Sequence, residues 1–270
     1  MAPHAETAPP VSEQADRRQI AVQGVLIDVL SWDVALGRIE TWAANHQSRV
    51  VAICNAHSVI TAKHDPDFRE AVEQSDMATA DGTPVAWTIR RLGFPTQERI
   101  NGPDLMIRYC QRAQHTGQKV FLFGNEQATV DKLMSTLKAE MPGLQFAGAI
   151  CPPFRPATAA EDAEHIRAIN DSGANIVFVS LGCPKQEKWM AEHRNKIHAV
   201  MVGVGAAFDY HAGTIRRAPL WMQNMGLEWL HRLVSEPRRL WRRYLTTNTA
   251  FIFGALNQFR AAPRRPERKS

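Results

Sequence analysis

Several polar residues in this chain stand at the ends of short apolar runs, where a side chain can reach a ligand. Asp81 follows Met77-Ala-Thr-Ala80 and precedes Gly82-Thr-Pro84, a pattern that ends a strand in a turn. A carboxylate there can take a proton from a hydroxyl nucleophile, or it can cap the helix that begins near Thr83-Pro84. Asn55 stands directly after the run 49–54, where its amide can donate or accept at a cleft. Ser180-Leu-Gly-Cys-Pro-Lys-Gln-Glu187 reads as a strand end, a turn and a helix start. Lys185 and Gln186 could meet a phosphate or a sugar there, beside the free N–H groups of a helix N-terminus. Glu187 could serve only to offset the dipole of its own helix. Arg99 and Asn101 precede another helix start, as anion contacts or as capping groups. Asp209, just past the run 199–204, is either a turn residue or a ligand for sugar or base hydroxyls. His57 is expected to be a partly buried polar residue, and Cys183 a small packing residue.

What positions these groups is an alternation of strands and helices. Strands are expected at 49–54, 77–80, 119–123, 145–150, 175–179 and 199–204, after a strand or tight hairpin around Gly24. Helices are expected between them, among them one capped by Ser31, one opened by Pro66 and running to Ser75, and one from 187 to 194. Strands separated by helices of this length imply βαβ units and an α/β fold with a largely parallel sheet. The candidate residues then share the carboxyl edge of that sheet, and their convergence is the strongest functional signal.

Composition narrows the classes. With 44% hydrophobic residues in 270, the chain can bury a large core. Four scattered cysteines with no C-x-x-C pair argue against metal knuckles and disulfide frameworks. Nothing matches G-x-G-x-x-G after a strand, a Walker loop, G-x-S-x-G or H-E-x-x-H, which disfavours NAD(P) enzymes, P-loop NTPases, serine hydrolases and zinc proteases. No window is apolar enough for a spanning helix. The net charge of +5 conceals an asymmetry. Residues 216–270 carry 12 Lys or Arg against 3 Asp or Glu, leaving a mildly acidic body. Short helices at 219–225, 226–233 and 236–243 interleave Trp221 and Trp229 with Arg232, Arg238, Arg239, Arg242 and Arg243, as a membrane-interface segment would. The tryptophans could equally pack on the body. The expected organisation is a disordered lead-in at 1–19, an α/β core at 20–213, a basic amphipathic appendage at 214–260 and a disordered tail at 261–270.

A family resemblance gathers these pieces. Asn55-Ala56, Ala80-Asp-Gly82, Arg99 with Gly102-Pro-Asp-Leu105, Gly182-Cys-Pro-Lys-Gln-Glu187, Gly203-Val-Gly-Ala-Ala-Phe-Asp209, Arg217-Ala-Pro219 and Gly226-Leu-Glu-Trp-Leu-His-Arg-Leu233 with Glu236-Pro237 occur in order. Together they resemble the WecG/TagA/CpsF glycosyltransferases. The resemblance implies a Rossmann-like sheet with flanking helices, of the GT-E type, and a C-terminal appendage that reaches the membrane. It implies inverting transfer of a sugar (ManNAc-, ManNAcA- or hexose-like) from a UDP-sugar to a lipid-diphosphate-linked acceptor at the inner, cytoplasmic face of the cell membrane. No cofactor or metal is implied. By position, Asp81 matches the catalytic base and Asn55 and Gln186 match pocket residues. Arg232, Arg238, Arg239 and Arg242 match the groups that hold diphosphate. The expected partners are the UDP-sugar, the lipid-linked acceptor and an anionic membrane surface. Self-association into a homo-oligomer could shield the appendage, and no nucleic acid is expected. Two departures leave the donor and acceptor open: Ile53-Cys54 replaces a Thr-Pro pair, and Ala206-Ala207 stands where relatives often carry Gly-Ser. The alternative reading is a non-catalytic α/β module that binds anionic membrane or nucleic acid through its basic tail.

Overall fold

The computed structural model describes residues 17–261, without the side chains of Asn224, Arg239 and Arg243. Most of the two expected tails therefore lies outside the described residues. Arg17 to Gln19, expected in the lead-in, belong to the fold instead. Arg17 grips buried Asp28 through two hydrogen bonds of 2.7 and 2.9 Å, and Gln19 opens the first strand.

Strands β1 (Gln19–Val22) and β2 (Val25–Asp28) form an antiparallel hairpin around Gln23-Gly24. The chain then alternates through α1 (Trp32–Ala44), β3 (Arg49–Cys54), α2 (Ala56–His64), α3 (Pro66–Glu73), β4 (Met77–Ala80), α4 (Thr83–Arg91) and α5 (Gly102–Thr116). Next come β5 (Lys119–Gly124), α6 (Gln127–Glu140), β6 (Gln145–Ile150), α7 (Ala159–Asp171), β7 (Ile176–Ser180), α8 (Lys185–Glu192), β8 (Val200–Gly203) and α9 (Ala207–Ala212). Helices α10 (Leu220–Asn224), α11 (Glu228–Ser235) and α12 (Pro237–Ala261) complete the described chain.

Six strands form one parallel sheet in the order β4-β3-β8-β7-β5-β6. Helices cover both faces, so the central strands are apolar throughout rather than alternating. Val177, Phe178, Met201 and Val202 are fully buried. One face packs Leu36, Ile39, Leu105, Tyr109 and Leu133 from α1, α5 and α6 over Phe178 and Val202. Truncating a fully buried phenylalanine such as Phe178 costs about 3–5 kcal/mol. From β3 the chain moves outward to the edge strand β4; from β5 it moves outward the other way, to the opposite edge strand β6. Beyond the carboxyl ends of strands, such a reversal opens the crevice in which sheets of this kind hold ligands.

Helix α8 begins at Lys185, where the sequence opens a helix, and buries Gln186 and Glu187. One element differs from the sequence expectation. The last expected short helix is the first part of the 25-residue α12. Thr246-Thr-Asn-Thr249 are weak helix formers. Tertiary packing overrides them: α12 lies on α2 and α11 and buries Leu240, Phe251 and Ala255. Near its end, Gln258 donates to the Ala21 carbonyl and accepts from the Gln23 N–H of the hairpin.

Candidate active site

A cavity of about 1360 Å³ opens over the carboxyl edge of the sheet. Its floor is built by the residues that follow β3, β4, β5, β7 and β8: Asn55, Asp81, Asn125, Leu181, Gly182, Gly205 and Asp209. The opposite wall is helical, with Trp229, Arg232 and Leu233 from α11 and Trp241, Leu245 and Ile252 from α12.

Asp81 sits where β4 gives way to α4. Its N–H donates to the Cys54 carbonyl, extending the pairing of β4 with β3 by one bond. The residue that caps α4 is Gly82, at φ +80° and with no side-chain cap, so the carboxylate of Asp81 is not taken up by the helix start. Its side chain is 20% exposed. Removal from water pushes its pKa above the ordinary carboxylate value, and nearby Glu228 adds to that push. Arg99, the Gly82 N–H and the Asn55 side chain pull the other way. Arg99 Nε lies 3.8 Å from Oδ1, an ion pair too long for a hydrogen bond. Asn55 also caps α2 in a reciprocal capping box with Ser58.

Glu228, at the start of α11, draws the helical wall onto the core. Its two carboxylate oxygens accept from different arginines, Oε2 from Arg99 Nη2 and Oε1 from Arg217 Nε at 3.2 Å. Arg217 also donates to Asp104 Oδ1 and, at 3.3 Å, to Asn101 Oδ1. Arg99 Nη1 donates to the Gln223 carbonyl at 3.3 Å. Just before Glu228, Gly226 adopts φ +73°, and a Cβ added there would lie 2.7 Å from Thr83 Oγ1. The helical wall is thus fastened beside Asp81 by a close backbone approach and by a shared carboxylate.

A sequence model described as the Glycosyl transferase WecG/TagA/CpsF family matches residues 20–265. The chain belongs to this family. It is a glycosyltransferase of cell-surface polysaccharide synthesis, and membership implies a sugar donor and a lipid-linked acceptor. Among the described residues, no helix is long and apolar enough to cross a membrane, and no group of three or more His, Cys, Asp or Glu could hold a metal ion.

The transferase brings Asp81, Asn55, Arg99, Asn101, Gln186, Asp209 and Arg232 together on one cavity. Asn101 is chiefly the cap of α5, accepting from the Asp104 N–H at 3.0 Å. Asp209 Oδ2 accepts from Asn125 at 3.2 Å and keeps a place on the floor. Arg232 lies 5.7 Å from the Tyr210 ring centroid, and its buried Nε has no hydrogen-bond partner among the described residues. Three expected residues fall elsewhere. Lys185 is exposed on the first turn of α8 and does not line the cavity. Arg238 and Arg242 are exposed on α12, away from the cavity, with Arg242 over the Trp241 ring at 5.2 Å. The side chain of Arg239 lies outside the described residues.

Gln186, expected to meet a phosphate or a sugar, lines the cavity at 4% exposure. Its amide ties α8 to the loop after β8: Nε2 donates to Glu187 Oε1 at 2.8 Å, and Oε1 accepts from the Gly205 N–H at 3.2 Å. Glu187, expected only to offset a helix dipole, is buried in the cavity wall at 2% exposure. Burial pushes its pKa up to about 7, against hydrogen bonds from Gln186, its own N–H and Cys183. Its Oε2 has no partner among the described residues. Sequence reasoning missed Glu187, Glu228 and Asn125 as site residues. Glu228 carried a usable signal, being one of only 3 acids among the 12 basic residues after position 215.

Proposed function

We propose that this glycosyltransferase moves a sugar from a UDP-sugar onto a polyprenyl-diphosphate-linked sugar, with inversion, at the inner face of the cell membrane. The observation that carries the reading is Asp81: a desolvated, raised-pKa carboxylate, uncommitted to capping, on a cavity whose far wall is apolar and cationic. In this reading Asp81 takes the proton of an acceptor hydroxyl. That oxygen bonds to the anomeric carbon as the bond from the anomeric carbon to the diphosphate oxygen breaks, and UDP leaves. Arg232, on the cavity wall, supplies a fixed cation towards the developing negative charge. Asn55 and Asp209 are the polar groups offered to sugar or base hydroxyls. Leu220, Trp221, Met225, Val234 and Phe253 are exposed on α10 to α12 and would rest at the lipid headgroup boundary, presenting the lipid-linked acceptor to the cavity.

Incubation with a panel of UDP-sugars and a polyprenyl-diphosphate-linked N-acetylhexosamine should release UDP with one donor, and NMR of the product should show the inverted anomer. Asp81→Ala should abolish release. A variant that keeps full activity, or a product with retained configuration, overturns the mechanism. Salt-sensitive vesicle or nucleic-acid binding with no response to any UDP-sugar would favour the non-catalytic module.

A further inference from the structure

Arg99 sits between two carboxylates and hydrogen-bonds only one of them. Its Nη2 donates to Glu228, while its Nε stands 3.8 Å from Asp81 Oδ1, buried and without a hydrogen-bond partner among the described residues. A guanidinium beside a carboxylate normally closes to a two-pronged, hydrogen-bonded pair. Here Glu228 and the Gln223 carbonyl hold the other end of the fork, and Arg217 fixes Glu228 in turn. Arg99 and Asp81 both belong to the core; Gln223 and Glu228 belong to the C-terminal helices. The seating of those helices therefore decides how close Arg99 comes to Asp81.

We propose that Glu228 is a positioning residue that holds Arg99 back from Asp81, so that docking of the C-terminal helices leaves a carboxylate oxygen of Asp81 open to a substrate hydroxyl. The inference rests on Asp81 being the base, and it adds a condition: the core alone carries a base that its own arginine quenches. The groups that act electrostatically on Asp81 are Arg99 from the segment before α5 and Glu228 from α11, with the Cys54 thiol of β3 coupled to it as well. Around Glu228 stand Arg99, Arg217, Arg232 and Tyr210. Removing the Glu228 charge acts on Asp81 in one direction by two routes. A repelling anion disappears, and Arg99 is released towards its remaining partner. Both favour the ionised form of Asp81 and make it a weaker base.

The test is a carboxyl-carbon NMR titration of the full chain labelled at aspartate, with the Asp81 signal assigned by its loss in Asp81→Asn. In Glu228→Gln, Asp81 should titrate about one unit lower than in the wild type, a tenfold change in proton affinity. Adding Arg99→Gln to that variant should send the titration back up, because the quenching partner is gone. In turnover, the acid limb of kcat/KM for UDP release should move down with the NMR value, and kcat should fall more than the donor KM changes. An unchanged or raised Asp81 titration in Glu228→Gln overturns the inference, as does a double variant that stays low. The NMR arms need no sugar substrate, so a protein that titrates as described but never releases UDP overturns the functional reading alone.

Discussion

On the sheet side of the cavity the polar groups are largely tied to one another. Gln186 joins Glu187 to Gly205, Asn125 donates to Asp209, Ser180 Oγ donates to the Gly205 carbonyl at 2.7 Å, and Asn101 caps α5. On the helical side, Arg232 keeps an unpartnered buried Nε, while Trp241, Leu245 and Ile252 present apolar surface to the cavity and to the outside. A cross-tied wall resists deformation, because breaking one tie strands a second buried group. The helical wall is held from outside the cavity instead, through Glu228 and Gly226 at α11 and through the packing of α12 on α2. Cross-tied polar groups thus lie with the strand-end loops, and open apolar surface lies with the C-terminal helices.

That division can be broken at defined points. The largest effect is expected at Asp81 itself: Asp81→Asn should lower UDP release by ~10²–10⁴-fold, the usual range for loss of a general base. It should not lower stability at neutral pH. The native pKa of Asp81 is raised, so its ionised form costs folding energy that is absent below the ordinary carboxylate pKa and fully present once the pH exceeds the native one. Melting curves of the two proteins at pH 4 and pH 8 check that sign, with the variant gaining more at pH 8.

Next in size is Arg232→Ala, expected to cost roughly 10–100-fold in kcat/KM, about 1.5–3 kcal/mol for a lost charge-assisted contact, with little change in melting temperature. A large fall in stability with unchanged kinetics would move Arg232 to the structural side of the comparison. Gln186→Ala should behave in the opposite way. It strands the Gly205 N–H and should lower stability by about 1–3 kcal/mol in urea titrations, whereas a direct sugar contact would show mainly as a raised KM in a protein of wild-type stability.

Glu187→Gln probes the same wall through pH. With a native pKa near 7, ionised Glu187 is a cost that appears as the pH rises from the unfolded-state carboxylate value through about 7. The variant should therefore match the wild type near pH 4 and exceed it at pH 8, by up to about 3 kcal/mol if Glu187 accounts for the whole difference. Smallest of all, Lys185→Ala and Arg238→Ala should leave the donor KM within about twofold, since exposed charges away from a site contribute little.

Much of this architecture could be read from the residues. Apolar β-branched runs ending in Cys54, Ala80 and Ser180 placed Asn55, Asp81 and Gln186 on one edge, and Ser31, Pro66 and Asn101 marked helix starts that the structure contains. The choice between base and cap for Asp81 was closed to the sequence, because it depended on whether Gly82 would take the cap position at positive φ. The seating of Gln186 against Gly205 is a tertiary contact that local spacing does not encode. Helical spacing separates the exposed arginines of α12 from its buried side. Arg238 and Arg242 are four apart and share a face, while Leu240, between them and about 200° away, is the residue that is buried. The pairing of Glu228 with Arg99 joins positions 129 apart and leaves no periodic trace.

The clasp between hairpin and final helix bears on when the enzyme becomes whole during synthesis. Gln23 binds Gln258 across 235 positions. At roughly 5–20 residues per second of translation, the hairpin waits on the order of tens of seconds for its partner to be made. Once β8 has been made the nascent chain holds Asp81 and its whole sheet, yet it lacks the helical wall of the cavity until α11 and α12 follow. A ribosome-bound intermediate therefore has an open sheet edge in place of a finished cavity, which closes only when the last helix arrives.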